Sequence, residues 1–273
     1  MNENEPMKFL YEFFDASLPR LGPGEDRSTR KALDMLLSVR SKRGETSDAG
    51  TLRILDIGCG NGAQTLELAK QLDGDILAVD NHQPYLDELN RRAQAAGLSE
   101  KIRTRLMDMS ELSRRDGIFD LIWSEGALHL MGFADGVLNP NGFRDGLALC
   151  HGLLAKGGWL GVSELCWFRP DPPSECREFF ANEYPVMVDI DTNLANIKNA
   201  GYQVIDHFRL PESAWRESYY HPLEDRLEAF REKYATDAPW REMIDSVSKE
   251  IDIYRKYSSY YGYEFFLMSL EKP

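Results

Sequence analysis

The spacing of apolar residues changes character several times along the chain. From Lys8 to Leu18 they recur at helical intervals, Leu21-Gly22-Pro23-Gly24 interrupts them, and an amphipathic stretch follows from Glu25 to Val39. Ser41 to Gly50 is polar and predicts a loop. Leu52 to Ile57 is a compact apolar run ending in glycines, the texture of a strand covered on both faces in a parallel sheet. Helical spacing returns over Ala63 to Leu72, then come a strand over Asp75 to Val79, a helix over Pro84 to Ala96 and a strand over Lys101 to Leu106. The alternation resumes with Phe119 to Trp123 as a strand, Gly142 to Leu154 as a helix, and Trp159 to Glu164 as a strand after the turn Lys156-Gly157-Gly158. Five strands alternating with helices predict an α/β fold with a doubly wound sheet.

Beyond Arg169 to Pro173 the pattern gives a helix near Thr192 to Ala200, a strand at Tyr202 to Leu210, and helix throughout Pro211 to Tyr261. Tyr263 to Leu270 is rich in β-formers and predicts an antiparallel strand at the edge of the sheet. The expected organisation is one domain over 1–273. It has N-terminal helices at 7–40, a cofactor-binding core at 51–165, and helical cap insertions over about 166–200 and 211–261.

Composition narrows the functional classes. With 32 basic against 45 acidic residues the net charge is -13, which repels a phosphate backbone and lowers the case for nucleic-acid or anionic-membrane partners. No secretory leader or membrane span is visible, so a cytoplasmic protein with a small-molecule partner is expected, either as a monomer or as a homodimer. Cys59, Cys150, Cys166 and Cys176 form no CxxC pair and have no histidines at ligand spacing, so buried thiols are expected and no metal site.

The candidate chemistry gathers at LDIGCGNG, residues 55–62, where the first strand must turn into the first helix. Glycines there permit positive φ and close backbone approach to a ligand, and the ligand crevice of a doubly wound sheet lies beyond this end of the strands. Gly58, Gly60 and Ala63 also satisfy the permissive dinucleotide pattern, so an NAD(P)-dependent oxidoreductase is the rival reading. Asp56 argues against it, because a carboxylate beside the loop suits the ammonium and sulfonium of S-adenosylmethionine (SAM) better than a pyrophosphate. Asp80 ends the second strand, where a carboxylate accepts ribose hydroxyls in either class of enzyme. Asp108 and Met109 follow the third strand, placed to bind the adenine amino group and cover its ring, or for Asp108 to cap a helix.

LDIGCGNG, AVD, the MDM after the third strand, FDLIWSEGALHL and LLAKGGWL together resemble the ordered motifs of class I SAM-dependent methyltransferases, over most of Leu52 to Leu165. LPRLGPG, SELCW, NEYP, LPESAW and RKYSSYYGYEFF resemble a prokaryotic group of small-molecule methyltransferases. The resemblance implies a Rossmann-like, seven-stranded, mostly parallel sheet with Tyr263 to Leu270 as its antiparallel last strand. It implies that Gly58, Cys59 and Gly60 approach the methionine part of SAM through backbone atoms, that Asp80 holds the ribose, and that Asn81 lies beside the adenine. Asp108 and Met109 then bind and cover the adenine, Ser124 and Glu125 sit near the sulfonium, and Gln64 and Gly22 are flanking candidates. A protein that binds SAM without catalysis is a further alternative.

On the acceptor side, Glu125 and His129 are candidate bases or substrate ligands, on one face if Glu125 to Leu130 is helical. Glu164 ends the fifth strand and faces the same crevice. Trp167, Tyr184, Trp215, Tyr219, Tyr220, Trp240, Tyr254, Tyr257 and Tyr260 give the cap an aromatic character that either lines an acceptor pocket or packs the cap onto the sheet. Tyr184 is singled out as a catalytic candidate, since a tyrosine before proline on a connecting segment can turn its hydroxyl into the cleft.

Overall fold

A computed structural model describes residues 5–42, 51–134 and 137–270. The predicted loop at Ser41 to Gly50 lies mostly outside the described residues. The first two helices are α1 (Glu5–Phe13), which ends earlier than its apolar spacing suggests, and α2 (Asp26–Lys42).

The sheet then builds as predicted, from β1 (Leu52–Ile57), α3 (Ala63–Gln71), β2 (Gly74–Asp80), α4 (Gln83–Ala95) and β3 (Ile102–Leu106). β4 (Phe119–Glu125), α5 (Gly142–Leu153) and β5 (Leu154–Trp167) complete its parallel part. Alternate residues of these strands serve different cores. Ile54, Ile76 and Leu121 meet Leu68 of α3 and Leu86 of α4 on one face, while Leu55, Leu77 and Ile122 meet Leu147 of α5 on the other. That double burial is why these segments read as unbroken apolar runs rather than as alternating ones.

Strand order is β3-β2-β1-β4-β5-β8-β7, where β7 is Tyr202–Arg209 and β8 is Tyr261–Leu270. The chain therefore reverses direction of travel across the sheet at β1, and the loop after β1 borders the crevice between its two halves. β8 is antiparallel to both neighbours, as expected, but it is not an edge strand: it lies between β5 and β7, and β7 forms the edge. Burial explains the inner position of β8. Phe265, Phe266, Leu267 and Met268 are all inaccessible to solvent and serve both cores, whereas β7 carries exposed residues along its length.

The seven strands in this order are those expected, and among the described residues a two-residue strand β6 (Val188–Asp189) pairs with the end of β5 as an eighth, off that order. Between them α6 (Ser174–Glu183) was not legible in the loosened pattern, and α7 (Ile190–Asn199) leads into β7. The segment predicted as helix throughout is broken into α8 (Glu212–Trp215), a π-helical turn over Arg216–Tyr220, α9 (His221–Lys233) and α10 (Ala238–Tyr257). α1 docks on this cap through Phe9 against Trp240 and Phe13 against Phe230, and Arg226 donates to the Phe13 carbonyl at 2.8 Å. Among the described residues no helix is long and apolar enough to cross a membrane.

Candidate functional site

A cavity of about 510 Å³ opens beyond the carboxyl ends of β1, β2, β3 and β4. The loop after β1 makes its floor. Gly58 and Gly60 take φ of +67° and +52°, and a Cβ on Gly58 would stand 2.3 Å from that of Ala127, so the loop packs against the segment after β4 with no room for a side chain.

The loop amides are already engaged. Gly58 and Cys59 both donate to the Val79 carbonyl, and Gly60 donates to the Asp80 carboxylate at 2.9 Å. What remains for a ligand is a set of oxygens and the backbone edge itself. Asp80, Asp108 and Glu125 all line the cavity, against one guanidinium, Arg20, which is itself paired to Glu125 at 3.2 Å. Such a wall suits a ligand with positive charge at its centre and hydroxyls to donate, and it opposes a pyrophosphate, which needs free N–H donors. The residues present thus fit an adenosyl sulfonium.

The expected residues divide by depth. Gly22, Gly58, Cys59, Gly60, Gln64, Asp80, Asn81, Asp108, Met109 and Glu125 all line the cavity. Asp108 also caps a short 3-10 turn, its Oδ1 accepting from the Ser110 amide at 2.8 Å, so its capping reading is realised at a position that lines the cavity. Burial pushes the Asp80 carboxyl up from its ordinary value, although the amides of Gly60 and His82 hold its charged form.

Asp56 and Ser124 do not reach the surface. Ser124 is fully buried and donates to the Ile57 carbonyl at 3.0 Å, tying β4 to β1. Asp56 is fully buried behind the loop and accepts from Thr65 at 2.6 Å and from Gln64 at 3.5 Å. The carboxylates that face the cavity are therefore Asp80, Asp108 and Glu125, and not Asp56.

Burial pushes the Asp56 carboxyl up to about 7, opposed by its hydrogen bond from Thr65. A folded-state value above the unfolded one means that the fold holds this proton more tightly. The group is neutral to stability below its ordinary value of 3.8 and destabilises progressively as pH rises towards about 7. Asp56→Asn is expected to gain stability relative to the wild type across that interval, by up to about 1.4 kcal/mol per pH unit, in urea unfolding measured at successive pH values. A difference independent of pH would show that Asp56 is not the group responsible.

Several wall residues were not singled out in the sequence. Leu10, Tyr11 and Phe14 of the first helical segment line the cavity, and Tyr11 stacks on His82 at 3.6 Å. The signal was FLYEFF, which has too many aromatic residues for one buried helix face: Phe13 enters the core while Tyr11 and Phe14 stay half-buried. Arg20 was also missed. It is 8% exposed and bonds Glu125 and Asp26, while Thr29 and the Trp123 indole donate to Glu125 at 2.6 and 2.9 Å.

A second cavity, of about 710 Å³, shares Gly22, Gly126, Leu130, Phe133, Tyr219 and Tyr263 with the first and runs beneath the cap. His129 and Tyr184 line this one. Tyr184 donates to Glu164 Oε1 at 2.6 Å, and His129 Nδ1 stands 3.3 Å from Glu164 Oε2 without hydrogen-bond alignment. Burial, with Glu164 adding to it, holds the Tyr184 phenol far above its ordinary value, so Tyr184 keeps its proton and acts as a donor.

Glu125 and His129 do not share a helix face: Glu125 ends β4, Gly126 turns at φ +64°, and only Leu128–Leu130 form a 3-10 turn. Of the cap aromatics, Tyr184, Trp215, Tyr219 and Tyr220 line the second cavity, whereas Trp240 packs on Tyr234 and Phe9. All four cysteines are buried free thiols, and among the described residues no cluster of metal-ligating side chains occurs.

Residues 54–158 match a family profile described as a methyltransferase domain. The chain is 26% identical over 235 residues to the 27-O-demethylrifamycin SV methyltransferase of Amycolatopsis mediterranei, covering 81% of this chain and 77% of that one. It is 27% identical over 186 residues to the sterol 24-C-methyltransferase erg-4 of Neurospora crassa, covering 64% of this chain and 46% of that protein. The match thus spans less than half the length of the sterol relative. In fold it is similar to a SAM-dependent methyltransferase from Thiobacillus denitrificans in complex with S-adenosylhomocysteine (SAH), with TM-score 0.71, 17% identity and 97% of each chain covered.

Proposed function

We propose, from the match of residues 54–158 to a methyltransferase-domain profile, that this chain transfers a methyl group from SAM to a small-molecule acceptor. The observation that carries the reading is the pair of adjoining cavities, an oxygen-rich one on the glycine loop and an aromatic one beyond Tyr219 and Tyr263. We assign Gly58, Cys59 and Gly60 to the methionine part, Asp80 to the ribose, Asn81, Asp108 and Met109 to the adenine, and Glu125 to the region of the sulfonium. Gln64 and Gly22 flank the ligand, while Asp56 and Ser124 support the loop from behind.

When bound, SAM supplies an electrophilic methyl group on a sulfonium. The chain's own part is to hold the acceptor atom roughly 3 Å from that methyl and to exclude water. The shared wall at Gly126, Tyr219 and Tyr263 is where the two ligands would meet. Glu164, buried behind the wall of the second cavity, is the proton acceptor, held by the Tyr184 hydroxyl, and His129, which lines the cavity, lies beside it to relay a proton from the methyl acceptor to that carboxylate.

Calorimetric titration with SAM and SAH, with NADH as control, tests the central claim. Saturable binding of both adenosyl ligands and none of NADH is expected; NADH binding, or no adenosyl binding, would overturn it. In turnover assays Tyr184→Phe and His129→Ala are each expected to lower kcat by roughly 10²-fold with the KM for SAM little changed. Unchanged kcat in both would return these residues to packing roles.

A further inference from the structure

The second cavity has a distinct chemistry at the end remote from the glycine loop. Glu250 of α10 lines it there and does not line the first cavity. Its carboxylate accepts from the Tyr220 hydroxyl at 3.0 Å, and Glu183, at the end of α6, lines the same end. The only other ionisable side chains in the lining are His129 and the tyrosines: no lysine or arginine is among the described residues there.

Tyr261 lines this end too. It is 1% exposed and its hydroxyl has no hydrogen-bond partner, a costly condition for a buried phenol unless a ligand supplies one. Trp215 adds a further ring. Burial pushes the Glu250 carboxyl up to about 7, and nearby Glu183 adds to the effect. A carboxylate so placed, between aromatic faces and with no protein cation beside it, is electrostatically incomplete.

We infer that the acceptor carries a cationic amine as a recognition handle, held by Glu250, Tyr220, Tyr261 and the Trp215 ring, while the atom to be methylated lies at the Tyr219 and Tyr263 end. The inference rests on the proposed methyl transfer. The carboxylate neutralises the charge, the tyrosine oxygens accept its hydrogen bonds, and the rings hold it through their negative faces. A cavity of about 710 Å³ leaves room for an apolar body between handle and reacting atom. An anionic acceptor would meet Glu250 and Glu183 with no compensating cation, so the same wall selects against it.

The test uses the full chain saturated with SAH, and two probes that are cationic at neutral pH and carry N–H donors, benzylamine and phenethylamine. Their neutral counterparts are benzyl alcohol and phenethyl alcohol, which replace the ammonium with a hydroxyl. Binding is followed by tryptophan fluorescence and calorimetry. Each cation is expected to bind at least roughly tenfold more tightly than its neutral counterpart, and Glu250→Gln is expected to remove that preference without changing SAH affinity.

Equal binding of charged and neutral probes, no saturable binding of either cation, or a preference that survives in Glu250→Gln would each overturn the inference. The wild-type comparison decides the matter alone if the variant does not fold. Failure of SAH itself to bind would remove the methyl-transfer reading and this inference with it. SAH binding without a cation preference would remove only this inference.

Discussion

Replacing Gly60 with aspartate is expected to abolish binding of SAM and SAH, a loss of at least roughly 10²-fold, while leaving the chain folded. The position separates the two effects. Its φ of +52° lies in the left-handed region, where aspartate is tolerated at a cost of about 1 kcal/mol, so a fall in Tm of only about 2–4 °C is expected. The new Cβ would stand 3.0 Å from Leu21 Cδ1, the movable end of a flexible side chain.

Beyond Cβ, however, a carboxylate would project from the residue whose amide holds Asp80, into the edge along which a ligand must lie. The same exchange at Gly58 would be less informative, because its Cβ would collide with Ala127 at 2.3 Å and disturb the packing itself. Calorimetry with SAH and a thermal melt of the same preparation read both quantities. A folded Gly60→Asp protein that binds SAH normally would mean that the cofactor does not lie on this loop.

The difference between Gly58 and Gly60 also marks where sequence reading ends. LDIGCGNG was legible because a glycine loop after a doubly buried strand is a local signal, fixed by backbone geometry that any sequence of this kind must satisfy. Depth was not legible. Asp56 and Ser124 are polar residues near strand ends, and nothing in their neighbours says that Thr65 and the Ile57 carbonyl will turn them away from the cavity. The place of β8 was half-legible: EFFLM carries apolar residues on both faces, as an inner strand requires, whereas QVIDHFR in β7 alternates with polar residues. Its partners, though, are chosen by strands far away in sequence, β5 and β7. The N-terminal wall shows the limit most clearly, because Tyr11, Phe14 and Arg20 become site residues only when α1 and the turn after it fold back across the loop.

Glu125 anchors that fold-back alongside the Asn61 and Arg92 bonds to the Leu18 carbonyl, and Glu125→Ala is expected to weaken stability and SAH binding together. Arg20 and Glu125 face each other with side chains 8% and 7% exposed, and Thr29 of α2 and Trp123 of β4 converge on the same carboxylate. Alanine would leave the Arg20 guanidinium buried with only the half-exposed Asp26 as partner, a change that costs about 3–5 kcal/mol when one member of a buried pair is removed. Because Leu21, Gly22 and Pro23 follow directly and form part of the cavity wall, the turn that carries them would loosen, and SAH affinity is expected to fall at least roughly tenfold.

Two controls distinguish a latch from a ligand contact. Glu125→Gln keeps an acceptor for Thr29 and the Trp123 indole but turns an amide towards Arg20, so an intermediate loss of stability is expected. Limited proteolysis should cut the N-terminal segment of Glu125→Ala faster than that of the wild type, and saturating SAH should slow the cut in the wild type far more than in the variant. SAH at 100 times its Kd adds about 2.7 kcal/mol to any fold that binds it, and a variant with weakened affinity forfeits most of that. If Glu125→Ala melts normally and protects its N-terminus on SAH addition, the N-terminal wall is held by α1 packing on the cap and by the Asn61, Arg92 and Tyr85 bonds to its carbonyls. If stability falls while SAH affinity stays unchanged, the wall is not part of the cofactor site, and the Arg20–Glu125 pair serves only to hold the turn against β4.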